Sequence, residues 1–256
     1  MNILQLAEQL NINLVPIPAF HKMPVFRSWQ IPKKYPEESY QNKGILIRDY
    51  LCDIDLDDES AVQSAEVIIS KEKIVGLVYG RKSKRISHII LKDKPKYYGD
   101  ISIRYNGKLI AEFRTNGISL FPDSVHPSGE ILVFAQKPEL FTYDNFAYKL
   151  FCKIVIVAIA TQIWEKGIRH ELSLGITGFL YKKGWHEKDI NDVISAICDI
   201  TQDEEYKDRL LTLKDLHNKP AIAGISKILE IDEEFGKILQ QLFRLKTNKD
   251  NHLTIE

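Results

Sequence analysis

The pattern of apolar residues changes once along this chain, near Pro138, and that single switch limits the folds open to it. Before it, short apolar runs alternate with Gly, Asn, Asp and Pro, the signature of strands and turns. After it, strand signals vanish and apolar residues recur at helical spacing. Strands first and helices second predict an α+β chain rather than a regular βαβ repeat. The spacing predicts a mixed α+β domain over 1–140, an all-helical bundle over 141–246 and a polar tail over 247–256. In the first part, "ILQLAEQLNIN" and "ESAVQSAEVIISKE" read as helices. "LVPIPAF", "IVGLVYGR", "SHIILKD", "DISIRYNGKL", "IAEFRTNG", "GISLFP" and "ILVFAQKP" read as strands. "KGILIRDYLCDIDLDD" holds two more, with a turn at Asp49 and Tyr50. In the second part, helices fit 142–167, 169–183, 187–200, 203–216, 221–229 and 233–244.

The most apolar run, "LFCKIVIVAIATQIW", is 15 residues long and contains Lys153. A bilayer span needs roughly 20 apolar residues, so this run predicts a buried helix and no membrane association. Cys52, Cys152 and Cys198 lie far apart, which argues against a disulfide framework and against a cysteine-rich zinc site. A reducing cytoplasmic compartment is the corresponding expectation. Formal net charge is zero, but it is unevenly spread. Between Lys71 and Lys108 eleven Lys or Arg face three Asp or Glu, an excess of eight positive charges. Such a run suits a polyanion, or else is a solvated hairpin face.

Within "LCDIDLDDES" five acidic side chains crowd between Asp53 and Glu59. Residues two apart on a strand share a face, so Asp53 and Asp55 point the same way. Two such carboxylates repel unless a cation lies between them, and hard oxygen ligands suit Mg²⁺ or Mn²⁺. Asp57 and Asp58 read as cap and turn residues ahead of the helix. A third acid, Glu112, stands in the strand-like "LIAEFRTNG"; Arg114, two residues on, is a candidate partner in a plain surface pair. Between these acids lies "YGRKSKRISHIIL". There Arg81, Lys82 and Ser83 form a basic turn able to hold phosphate, and His88 opens the next strand. The spacing is not that of a Walker loop. "FPDSVHPSGE" then sets Ser124, His126 and Ser128 in a rigid loop between two prolines.

Taken in order, "DID" at 53–55, "GRKSKRISH" at 80–88, "EFR" at 112–114 and "PDSVHPSG" at 122–129 resemble the bifunctional primase–polymerases of the archaeo-eukaryotic primase superfamily, the plasmid and viral replication type. "KMPVFRSW" is similar to the Lys-x-Pro…Trp element that often precedes the first acidic motif. "KGIRHELSLGITGFLYKKGWHEKDI" with "DEEYKDRLLTL" resembles a helical accessory domain of plasmid and phage primases.

The resemblance implies a catalytic domain with an RRM-like sheet core and a template-directed DNA primase or polymerase activity using two Mg²⁺ or Mn²⁺ ions and no zinc. Asp53, Asp55 and Glu112 would be the catalytic metal ligands. Arg81, Lys82, Ser83, His88, Arg114 and His126 would bind the nucleotide, and Lys84, Arg85, Arg169 and His170 the DNA. A single-stranded template, nucleoside triphosphates and a replicative helicase would be the partners. The chain departs from the family's Ser-x-His, with Ile86 at the serine position and Ser87 displaced by one. Two other readings fit the same residues: a single-stranded-DNA- or nucleotide-binding replication module of weak activity, and a metal-dependent nuclease.

Overall fold

The computed structural model describes residues 2–94, 99–214 and 224–244. Helix α1 (Ile3–Leu10) opens on a capping box, in which the Asn2 side chain accepts from the backbone while Gln5 reaches back to the Asn2 N–H. Strands β1 (Leu14–Ile17), β2 (Asn42–Ile47) and β3 (Leu51–Leu56) follow, then helix α2 (Glu59–Glu72), capped by the Asp58 side chain. Strands β4 (Leu77–Arg81), β5 (Lys84–Lys94), β6 (Ile101–Tyr105), β7 (Lys108–Arg114), β8 (Gly117–Leu120), β9 (Val133–Phe134) and β10 (Thr142–Asp144) complete the strand-rich part. Helices α3 (Ala147–Gln162), α4 (Arg169–Lys182), α5 (Glu187–Thr201), α6 (Tyr206–Lys214), α7 (Ile225–Ile231) and α8 (Glu233–Leu242) make up the rest. The α+β class expected from the pattern switch is what the chain adopts.

The strands form two sheets. A small antiparallel sheet has the order β1-β2-β8, and a larger one the order β6-β7-β3-β5-β4-β9, with β10 pairing parallel to β5. Asp49 and Tyr50 form the expected turn, closed by Leu51 N donating to the Arg48 carbonyl at 2.9 Å, but it does not pair the strands on either side. Both residues have left-handed φ, 48° and 74°, and they carry the chain from β2 in the small sheet into β3 at the centre of the large one. At the β4–β5 turn, Gly80 is required by close approach. A Cβ there would lie 2.2 Å from the Lys84 carbonyl oxygen, a contact that no side chain tolerates.

Alternation along the central strands gives the large sheet two differently used faces. Cys52, Ile54, Leu56, Val78, Ile89, Ala111 and Phe113 pack against the helices. Leu51, Leu77, Tyr79 and Ile90 pack against the small sheet and α1. Asp53, Asp55, His88 and Glu112 share this second face by parity.

The core does not divide at residue 140. One continuous hydrophobic cluster runs from β3, β5 and β7 through α2 and α3 into α4, α5 and α8. Helix α3 is buried along almost its whole length, and its first N–H is capped from the sheet, Ala147 N donating to Asp93 Oδ2 at 2.6 Å. The helix expected over 142–167 therefore starts late: Thr142–Asp144 forms β10 beside β5 instead, and Asn145 with φ 55° turns the chain into α3. Helix α6 begins at Tyr206 rather than residue 203, because buried Asp203 accepts from Trp164 Nε1 and Glu205 N. The facing ends of the helices expected at 203–216 and 221–229, and the polar tail over 247–256, lie outside the described residues. No helix among the described residues is long and apolar enough to cross a membrane.

Candidate metal centre

Registers across the large sheet align its polar residues in rows. Glu112 on β7 stands opposite Asp55 on β3, and Asp55 stands opposite His88 on β5. The row continues to Ser102 on β6 and Tyr79 on β4. Directly opposed side chains are nearest neighbours on a sheet face, so the strand order alone brings Glu112, Asp55 and His88 together. One step along, Arg114 stands opposite Asp53.

The carboxylates of Asp55, Asp57 and Glu112 each offer an oxygen within 4.8 Å of the others, a grouping able to hold a metal ion. Asp57 was not expected in this group. Of the two residues read as cap and turn, Asp58 is the cap, accepting from Ser60 N at 2.9 Å. Asp57 lies where β3 leaves the sheet, its N–H donating to the Ile110 carbonyl on β7. The parity that pairs Asp53 with Asp55 equally pairs Asp55 with Asp57, so the signal was present in the sequence. Desolvation pushes the Asp57 carboxyl above the usual carboxylate range; Glu112 adds to this while Lys84 opposes it. An acid in that condition gains from a cation. Three oxygen donors fit Mg²⁺ or Mn²⁺, whereas Cys52, the nearest thiol in sequence, is buried on the opposite face of β3.

Asp53 is placed differently. Its carboxylate is fully buried, and both oxygens lie close to His88 Nδ1, at 3.2 and 3.1 Å. Ser119 Oγ, reaching over from β8 in the small sheet, donates to Asp53 Oδ2 at 2.5 Å. Burial would raise the Asp53 carboxyl, but His88, Arg114 and Ser119 together hold it below the usual range. Arg114 is ion-paired to Asp55 through Nη2, which also stands 3.7 Å from Asp53, while its Nε is 3.9 Å from Glu112. The plain Glu112–Arg114 pair is thus the weakest of Arg114's three contacts. Glu112 accepts instead from Ser102 Oγ at 2.5 Å.

Asp55, Asp57 and Glu112 open into a cleft of about 490 Å³ that Lys22, Arg81, Lys84, His88, Arg114 and His126 also line, with Met23, Ile118, Leu120 and Leu132 as its apolar part. Ser87 lines it too, with its hydroxyl buried and unpartnered. Ile86, at the family's serine position, is buried in the core. Lys84 Nζ donates to the Asp57 carbonyl at 3.1 Å, and burial, then Arg81 and Lys22, depress its pKa against the pull of Asp57. His126 takes the Ser128 N–H on Nδ1 at 3.1 Å, which leaves its proton on Nε2. Burial, then Arg81 and Lys22, lower its pKa.

The basic turn is only partly available. Ser83 donates through N and Oγ to Glu130, and Arg81 Nε lies 3.2 Å from Glu130 Oε2. Lys82 and Arg85 are exposed. Sequence reasoning missed Glu130 and Lys22; Lys22 stands in the Lys-x-Pro element, while Glu130 carries no local signal. Arg169 and His170 are not brought to the cleft. Arg169 pairs with Asp203 and Glu204 within the helical half, and His170 Nδ1 lies 3.4 Å from Arg209. No protein-family model matches the chain, and no curated protein does.

Proposed function

We propose that this cleft carries out template-directed nucleotidyl transfer, as a DNA primase or DNA polymerase of plasmid or viral replication, using two Mg²⁺ or Mn²⁺ ions. The observation carrying the proposal is the juxtaposition of a three-carboxylate group with six basic side chains in one cleft. A hydrolase that needs only a cation has no use for so many phosphate-sized counter-charges beside it. A nucleoside triphosphate, already partly neutralised by metal, still needs them. The antiparallel sheet centred on β3, with α2 across its back, is in keeping with the RRM-like core that the sequence resemblance implies.

Bound divalent cations would supply the Lewis acidity that makes a 3′ hydroxyl a better nucleophile and stabilises the departing pyrophosphate. The chain's own residues divide the remaining work. Asp55, Asp57 and Glu112 hold the cations, and Arg114 restrains Asp55. Lys22, Arg81, Lys84, His88 and His126 grip the nucleotide's phosphates from the opposite walls. Lys82 and Arg85, exposed at the β4–β5 turn, contact the backbone of a single-stranded template, each neutralised phosphate releasing counterions.

The test is incubation of the protein with Mn²⁺ or Mg²⁺, a single-stranded template and labelled nucleotides. Extension products support the proposal. Shortened template identifies a nuclease, and retention on DNA without products identifies a binding module. A double variant Asp55→Ala/Glu112→Ala that still extends chains would show that the cleft is not the active site.

A further inference from the structure

Asp53 and Asp55 are one strand repeat apart, yet their surroundings differ sharply. Asp55 is accessible from the cleft; Asp53 is 0% exposed and does not line it. Both Asp53 oxygens are already engaged by protein donors. Ser119 Oγ occupies Oδ2, His88 Nδ1 is shared between the two oxygens, and Arg114 Nη2 stands 3.7 Å from Oδ2. A hydrated Mg²⁺ keeps several of its waters when a protein binds it, and a carboxylate walled off in this way offers no room for them. We infer that Asp53 is a positioning residue for His88, and that the cation is held by Asp55, Asp57 and Glu112 without it. The inference rests on the cation-dependent reading above.

The device works by hydrogen-bond geometry. An ionised carboxylate only accepts, so the His88 nitrogen facing Asp53 must carry a hydrogen. That fixes the tautomer and leaves Nε2 as the nitrogen presented to a ligand. Tyr79, wholly buried, lies against the same ring with centroids 5.1 Å apart and planes 31° from parallel, which limits tilting. Ser119 belongs to β8, so the small sheet pins the carboxylate that pins the ring. His88 is thereby set at the cleft wall before any nucleotide arrives, and a group held in advance loses less entropy on binding.

Mn²⁺ uptake by the full chain without nucleotide, followed by electron paramagnetic resonance, separates the two aspartates. Asp57→Asn is expected to weaken uptake at least about tenfold, the loss typical of a removed ligand-shell contact, while Asp53→Asn leaves it within about twofold. Nucleotide affinity and the ¹⁵N signature of the His88 ring test the positioning role. Asp53→Ala is expected to weaken nucleotide binding and shift the ring away from the Nδ1–H tautomer. Asp53→Asn, whose amide oxygen can still accept from Nδ1, restores most of both. Equal loss of Mn²⁺ uptake in folded Asp53→Asn and Asp57→Asn overturns the inference. Wild-type protein that takes up no Mn²⁺ overturns it too, through failure of the cation site itself, which is a distinguishable result. Should the Asp53 variants fail to fold, Ser119→Ala loosens the same carboxylate; an unchanged His88 signature there also overturns the inference.

Discussion

Two ionic clusters sit on opposite sides of the large sheet, and they are built on opposite plans. On the helical side, Lys153 is 1% exposed and reaches Glu72 on α2 at 2.7 Å and Asp189 on α5 at 2.8 Å, with Asp192 at 3.4 Å. Lys149 also pairs with Asp189, and Lys188 with Asp192, so three cations meet three carboxylates. Burial alone would lower the Lys153 pKa, but Asp189 and Glu72 raise it. In the cleft, Asp55, Asp57 and Glu112 converge above the buried Asp53, and Arg114 is the one arginine or lysine ion-paired with any of these four among the described residues. The first cluster closes on itself and joins α2, α3 and α5. In the second, the acids and most of the cleft's basic side chains stand apart: of the lysines and arginines that line it, Arg114 is the one ion-paired with the acids among the described residues. A buried network whose charges pair with one another contributes to the fold, whereas acids and bases held apart across a cleft remain open to other partners.

That contrast can be broken by experiment. Lys153→Ala leaves three partly buried carboxylates without their shared cation and should cost about 3–5 kcal/mol in urea unfolding. A cost below about 1 kcal/mol would show that the helical cluster behaves as a surface pair. Glu112→Gln should act in the reverse sense. Nucleotide incorporation should fall at least about a hundredfold, while the unfolding midpoint stays level or rises because one repelling charge is gone. Simultaneous loss of stability would mean that the cleft acids hold the fold together after all.

Saturating Mn²⁺ should stabilise the wild type by about 2.7 kcal/mol at a hundred times its Kd. That shift should fall to about 1.4 kcal/mol or less in Asp57→Asn and persist in Lys153→Ala. Acid sharpens the comparison from the helical side. Asp189 is held below the usual carboxylate range, burial opposing and Lys149 and Lys153 prevailing; Asp203 is held down likewise, burial opposing and the Glu205 N–H and Trp164 prevailing. A carboxyl depressed in the folded state contributes stability above its unfolded pKa and loses it as pH falls through the folded value. Stability should therefore be full above about pH 5 and drain below about pH 4, as chemical denaturation at stepped pH will show. The smallest effect belongs to the exposed turn. Lys82→Ala and Arg85→Ala should each reduce the salt slope of single-stranded DNA binding by about 0.7, with extension otherwise preserved.

The sequence carried more of the site than its quoted motifs suggested. Strand parity put Asp53 with Asp55 on one face, the family resemblance joined Glu112 and His88 to them, and the spacing of apolar residues located α4, α5 and α8 to within a residue or two at each end. The same parity included Asp57, which acid-rich cap chemistry obscured, since Asp58 beside it is a true cap. Arg169 in "RHEL" has the composition of a nucleic-acid contact, but its partners Asp203 and Glu204 come from the connection between α5 and α6, which no local pattern announces.

What the chain determined by itself was everything governed by backbone period: which residues share a face, where helices replace strands, and which run is too short for a membrane. The tertiary structure alone decided that β7 lies beside β3, so that Glu112 meets Asp55, and that β8 crosses from the other sheet to fasten Asp53. The reason is physical. Side-chain direction repeats with local φ and ψ, whereas strand order and inter-sheet contact are chosen by the packing of a core whose members are scattered along the chain.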